Sequence, residues 1–346
     1  MAQSKTINRQ ITLAQRPKGA PVNSDFKLIE TEVPTPEKGQ VLLRTVYLSL
    51  DPYMRGRMSD AESYAAPVAL GDVMVGGSVC KVEKSLNDNF QEGDLVVAFG
   101  GWQDYLISDG VGLLKLNKGM PKPSYALGIM GMPGLTAFMG LLEIGNPKEG
   151  ETVVVAGATG AVGSLVAQIA KIKGCKVVGI AGSEEKCNYA IEKLGVDSCI
   201  NHKSETFEKE LEAACSEGID VYYENVGGKV FDAVMPLLNT CARIPLCGMI
   251  SQYNVTELPA GPDRLSLLMG TLLKKRIKMQ GFIVFDDFGH RYEEFSTQMG
   301  EWLAEGKLSY KEDMVKGLEN TVEAFKGLLV GKNFGKLVVQ VGPIDL

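Results

Sequence analysis

The stretch Val153-Val-Val-Ala-Gly157-Ala-Thr-Gly160-Ala-Val-Gly163 constrains this chain more than any other. Small and β-favouring apolar residues run into three glycines, and Ser164-Leu-Val-Ala-Gln-Ile-Ala-Lys171 follows at helical spacing. The order is strand, tight turn, helix, and a second strand, Lys176-Val-Val-Gly-Ile180, comes next. Without Cβ atoms, Gly157 and Gly160 let the backbone approach a pyrophosphate, and Gly163 lets the helix pack close to the strand. The helix N-terminus offers free N–H groups and partial positive charge to the phosphates. Gly157, Ala158, Gly160, Ala161 and Val162 are therefore expected to hold a dinucleotide.

The 346 residues suggest about two domains, and 45% apolar with 23% charged residues is ordinary for a globular protein. The net charge of −6 argues against a general nucleic-acid surface. No apolar run approaches the ~20 residues of a membrane span, and Met1-Ala-Gln-Ser-Lys-Thr-Ile-Asn-Arg9 lacks an apolar signal core. Seven cysteines are scattered singly, at 80, 175, 187, 199, 215, 241 and 247, which points to a reducing cytoplasm rather than a disulfide framework. With only His202 and His290 and no close cysteine pair, no metal site is expected.

Residues 1 to about 125 read as β-rich. Phe26–Glu30, Gln40–Leu48, Gly77–Val82 and Asp94–Phe99 are short strand-like runs between Gly, Pro and Asp turns, in the manner of a barrel or sandwich. A helical stretch is expected near Tyr125–Leu142. From Glu151 strand and helix signals alternate: strand 152–156, helix 161–173, strand 176–180, helix 184–195, strand 198–200, helix 205–216, strand 219–224, helix 228–238, strand 242–247. That alternation implies a doubly wound parallel sheet, α/β in class. A long amphipathic helix is expected from Arg291 to about Glu305. The tail strand Gly335-Lys-Leu-Val-Val-Gln-Val341 is expected to return to the N-terminal unit.

Where an NAD-preferring fold ends its second strand in Asp or Glu, this chain has Gly179-Ile-Ala-Gly182-Ser183, followed by Lys186. An acid would repel a 2′-phosphate, whereas a small turn and a lysine welcome it. The expected cofactor is NADPH.

The chain resembles the medium-chain dehydrogenases/reductases without zinc. Within them it is similar to the NADPH-dependent double-bond reductases: the leukotriene B4 12-hydroxydehydrogenases/prostaglandin reductases, plant alkenal reductases and bacterial curcumin reductases. Leu48-Ser-Leu-Asp-Pro-Tyr-Met-Arg-Gly-Arg-Met58, Met132-Pro-Gly-Leu-Thr136, Gly157–Gly163, Ala181-Gly-Ser-Glu-Glu-Lys186, Asp220–Gly228, Gly248–Asn254, Gly281-Phe-Ile-Val284 and Gly331-Lys-Asn-Phe-Gly-Lys336 carry the likeness. Zinc-dependent relatives have Gly-His-Glu where this chain has Gly71-Asp-Val73, and residues 84–120 hold no cysteine where those relatives keep a four-cysteine lobe. The resemblance implies a GroES-like β-rich barrel domain over 1–126 and 308–346 and a Rossmann domain over 127–307. It also implies a homodimer.

Roles implied by the resemblance fall on named residues. Gly182, Ser183 and Lys186 would hold the 2′-phosphate, with His202 where the family often has tyrosine, adding pH sensitivity. Asn225, Cys247 and Ser251 would contact the cofactor. Thr136, Phe282 and Val284 would sit at the nicotinamide, and Asn333 would reach in from the C-terminal segment. Tyr53, Met54, Arg55, Tyr64 and Met132 would line an apolar pocket for a flat enone. Tyr253 would touch both ligands and donate a hydrogen bond to the oxygen that becomes an enolate as hydride reaches the β-carbon. Two other activities stand beside enone reduction: quinone reduction at the same site, and NADPH binding in a structural or sensory role with little turnover.

Overall fold

The computed structural model describes residues 7–343 apart from 117–118, 258–260 and 262–263. The start of the chain, read above for a signal core, lies outside the described residues up to position 6. Six parallel strands form the larger αβ unit: β1 (Thr152–Ala156), β2 (Lys176–Ala181), β3 (Ser198–Asn201), β4 (Ile219–Tyr223), β5 (Leu238–Leu246) and β6 (Lys278–Gly281), in the order β3-β2-β1-β4-β5-β6. The chain winds outward from β1 in one direction and then, from β4, in the other. Crevices for ligands open at such a reversal.

β1 explains why its sequence is an unbroken apolar run. Val153 and Val155 pack into one core, Val154 and Ala156 into the other, so both faces are covered. Helices α1 (Gly163–Ile172) and α2 (Glu184–Leu194) bury Leu165, Val166, Ile169, Ala190 and Leu194 in the first of these cores, which holds Val153.

The second sheet runs Glu312–Lys316, Lys336–Gln340, Val41–Ser49, Ser78–Ser85, Leu95–Ala98, Leu114–Lys115, with Tyr105–Ser108 also on Val41–Ser49. Ile7–Leu13 and Phe26–Glu32 make a separate antiparallel pair. Val338 lies opposite Ser49, so the tail strand is built into the sheet of the N-terminal strands.

Several boundaries differ from the sequence expectation. The stretch 125–142 is not one helix: a 3₁₀ turn (Pro123–Leu127) breaks at Gly128–Gly131 before the helix Met132–Met139. A side chain at Gly131 would run into the Ala126 carbonyl, so the chain turns sharply there. The helix expected over 228–238 stops at Val234, and Pro236, which cannot donate an amide, lies in the 3₁₀ turn Met235–Leu237 that follows it. β5 then starts at Leu238 rather than 242. The helix expected over 205–216 spans Phe207–Ala214. The helix Leu265–Lys275, strand β6, and the segments Val284–Phe288, Glu312–Lys316 and Thr321–Leu328 were not foreseen.

Candidate active site

The glycine turn follows β1 directly. Gly157 takes φ +65°, a conformation that side chains resist, and a side chain at Gly163 would strike the Gly157 carbonyl. Helix α1 therefore starts against the turn, with its first residue, Gly163, at the space above it. That space is a cavity of about 790 Å³, lined by both sheet units. Gly157, Gly160, Ala161 and Val162 line it. Ala158 does not, being fully buried beneath the turn with its amide donating to Ile180 O at 3.0 Å.

One corner is cationic. Lys186, His202 and Lys203 line it together with Gly182. Lys186 Nζ donates to the carbonyls of Gly331 (2.7 Å) and Asn333 (2.6 Å). Burial lowers its pKa, and Lys203 lowers it further. His202 Nε2 lies 3.4 Å from where a Gly182 side chain would begin. Burial, then Lys203, lowers its pKa below the usual histidine value, so its charge is lost at lower pH than the sequence alone implied. Ser183 is absent from the lining; its hydroxyl caps α2 by accepting from Lys186 N at 3.3 Å. Lys203 has no motif to mark it and was missed.

The loop after β4 is organised by Glu224, which is buried. It accepts from the amides of Val226 (2.6 Å) and Gly227 (2.9 Å) and from Tyr222 Oη (2.9 Å). Burial raises its pKa. Asn225 donates to Ala156 O at 2.8 Å, tying this loop to the end of β1, and also faces the cavity. Thr136, Cys247, Ser251, Phe282, Val284 and Asn333 line the cavity as expected. Thr136 Oγ1 donates to Met132 O (2.8 Å), and Tyr223 Oη donates to Thr136 O (2.7 Å).

Tyr253 projects from a turn after the short 3₁₀ segment Ile250–Gln252. Its hydroxyl accepts from Met249 N at 3.3 Å, and a side chain at Gly248 would sit 2.8 Å from it. Burial raises the Tyr253 pKa. It is therefore a phenol at neutral pH, and accepting one hydrogen bond leaves its proton free to donate.

Tyr53, Tyr64 and Met132 line the substrate side. Burial pushes the Tyr53 phenol well up, and Asp51 and Tyr64 add to it. Met54 and Arg55 do not line the cavity. Met54 is fully buried in the core of the N-terminal sheet. Arg55 is buried and donates to Gly19 O (2.8 Å) and Asn254 Oδ1 (3.2 Å). Arg57 lines the cavity instead, along with Phe99 and Phe285. Asp51 is the one acidic lining residue among the described residues, and Lys336 pairs with it at 2.7 Å. Among the described residues no three His, Cys, Asp or Glu side chains converge as metal ligands would.

Comparison with known proteins bears on this geometry. Residues 9–116 match the N-terminal domain of oxidoreductases, and residues 161–305 match the zinc-binding dehydrogenases. The NADPH-dependent curcumin reductase of Escherichia coli (strain K12) is 60% identical over 345 residues, all of both chains. The chain belongs to the medium-chain dehydrogenase/reductase family. Within the family, prostaglandin reductase 1 of Rattus norvegicus is 44% identical, covering 98% of this chain and all of that one. The crystal structure of CurA from Vibrio vulnificus in complex with NADPH is 64% identical, with a TM-score of 0.94 over 97% of this chain and 99% of that chain.

Proposed function

We propose that this protein reduces the carbon–carbon double bond of α,β-unsaturated ketones and aldehydes, with NADPH as its cofactor. The observation that carries the reading is one cavity that joins a cationic corner, a glycine turn and a protonated Tyr253. The donor set fits NADPH: Lys186, Lys203 and His202 suit a dianionic 2′-phosphate, and no carboxylate faces that corner among the described residues. Bound there, NADPH would supply the hydride to the β-carbon, and water or a hydroxyl would supply the proton that the α-carbon takes up. Gly157, Gly160, Ala161, Val162 and α1 hold its phosphates. Thr136, Asn225, Cys247, Ser251, Phe282, Val284 and Asn333 shape the wall around its remainder.

Tyr53, Tyr64 and Met132 hold a flat conjugated substrate against that wall, and Arg57, Phe99 and Phe285 extend the surface. The Tyr253 hydroxyl donates to the substrate carbonyl oxygen. That bond strengthens as negative charge collects on the oxygen, so it favours the transition state over the ground state. No metal is required. Residues 1–126 with 308–346 form the substrate domain, and 127–307 the cofactor domain. The protein is cytoplasmic, in keeping with seven free cysteines. It is a homodimer, in keeping with the exposed Leu267, Met269 and Leu273 of the helix Leu265–Lys275.

NADPH consumption over enones of graded length and width, with the product identified, tests this. The saturated ketone or aldehyde is expected. Formation of the allylic alcohol, or no turnover, overturns the proposal.

A further inference from the structure

Lys336 is the most deeply buried charged side chain in the cavity wall, 1% exposed, and neither the glycine turn nor Tyr253 accounts for it. Its Nζ donates to Asp51 Oδ1 at 2.7 Å and to Leu50 O at 3.0 Å. Asp51 also accepts from the Ser49 hydroxyl through its other oxygen. A buried ion pair is costly to desolvate, and it persists only where its geometry is well satisfied. Here each Asp51 oxygen accepts a hydrogen bond and Lys336 Nζ has two acceptors.

What the pair joins is telling. The Asp51 carbonyl accepts from Met54 N at 3.1 Å and so closes the turn that carries Pro52 and Tyr53, the substrate wall. Lys336 ends the segment Gly331–Lys336. The same segment meets Lys186 through the Gly331 and Asn333 carbonyls. It meets the glycine turn through a parallel bridge between Gly335 and Gly160. Gly335 holds φ +93°, and a side chain there would hit the Lys311 carbonyl, so the segment has little latitude. Six residues thus touch the 2′-phosphate corner, the phosphate turn and the substrate wall in succession.

We infer that the Asp51–Lys336 pair is a positioning device that sets the Tyr53 wall in register with the bound cofactor, so that cofactor binding orders the substrate side. Lys336 and Asp51 act through Tyr53 and its turn and contact no reacting atom. This inference rests on the reading of the cavity as an NADPH-dependent enone site.

The test uses the full chain and two variants, Lys336→Met and Asp51→Asn/Lys336→Met. The single variant leaves Asp51 without its counter-charge and is expected to lower Tm. The double variant removes both charges and is expected to recover most of that loss. In the double variant NADPH affinity, measured by fluorescence titration, should stay within about twofold of the parent. Its kcat/KM for a medium-chain enone should fall at least tenfold, an effect a merely structural pair would not produce once Tm is recovered.

Hydrogen exchange supplies a readout that needs no turnover. In the parent, NADPH should slow exchange at 329–336 and at 50–54. In the double variant only 329–336 should respond. Parent-like kcat/KM and parent-like protection of 50–54 in the double variant would overturn the inference. So would loss of NADPH affinity equal to the loss of kcat/KM. If the parent binds NADPH without turning over any enone, the functional reading fails, while the exchange arm still decides whether the pair couples the two sides.

Discussion

On the cofactor side, the cavity offers a ligand main-chain amides of a glycine turn, two lysines and a histidine. On the substrate side it offers rings: Tyr53, Tyr64, Phe99, Phe285 and the Tyr253 phenol. The first surface is drawn from the short stretches that follow β1, β2 and β3. The second is gathered from five separate places in the chain. Main-chain recognition tolerates almost no change at its glycines, because the backbone itself makes the fit. A ring surface tolerates exchange of one ring for another, because apolar contact is not directional. A family built this way can keep one cofactor and vary its substrates.

The most severe way to break the contrast is Gly163→Val. A side chain there meets the Gly157 carbonyl, so the turn and α1 cannot keep their spacing. NADPH affinity should fall by more than about a hundredfold, or ~2.8 kcal/mol, in a fluorescence titration. A variant that binds NADPH as the parent does would show that the turn is less exacting than its geometry implies.

Next comes Tyr253→Phe. It should leave NADPH affinity intact and lower kcat and kcat/KM together by about a hundredfold, roughly 3 kcal/mol. Stopped-flow measurement of the hydride step is the decisive reading. An unchanged rate of that step means the phenol only packs.

Lys186→Ala sharpens the cofactor side. A charge-assisted bond to a phosphate contributes about 1.5–3 kcal/mol, so preference for NADPH over NADH should drop by roughly ten- to a hundredfold. Because Lys186 also holds the Gly331 and Asn333 carbonyls, NADH should weaken too, by a smaller factor. Equal losses with both cofactors would leave Lys186 a structural tie.

The smallest effect belongs to His202. Its pKa is lowered in the free protein by burial and by Lys203 and Lys186, so it is neutral at pH 7 and gains charge only on acidification. A bound dianion favours the protonated form. Preference for NADPH over NADH should therefore rise a few-fold as the solution is acidified through the lowered His202 range and fade as pH rises. His202→Asn should remove this excess. Identical pH profiles in parent and variant would assign the titration to the phosphate alone.

The legibility of the sequence follows the same division. Strands β1 and β2 were readable because both of their faces are covered and their apolar runs are continuous. β6 was not: Lys278-Met-Gln-Gly281 is a short, exposed edge with no apolar run to announce it. The resemblance puts Met54 and Arg55 in the pocket with the segment Asp51–Arg55, but the single helical turn Met54–Arg57 leaves both out of the lining and brings Arg57 in. Phe99, Phe285 and Lys203 carry no local pattern. Only the meeting of distant segments makes them lining residues.

The strand Lys336–Gln340 lies between Glu312–Lys316 and the Tyr47–Ser49 end of Val41–Ser49. During synthesis the parallel sheet has all its strands once Gly281 has left the ribosome. The sheet that holds Val41–Ser49 waits for Lys336–Gln340, with part of an apolar strand edge unprotected until then. Folding therefore runs against the order of translation, and the interval before Lys336 emerges is when this chain is most open to mispairing and to chaperones. Nascent chains stalled between Gly281 and Lys336 should show a protease-resistant parallel sheet beside a digestible N-terminal unit.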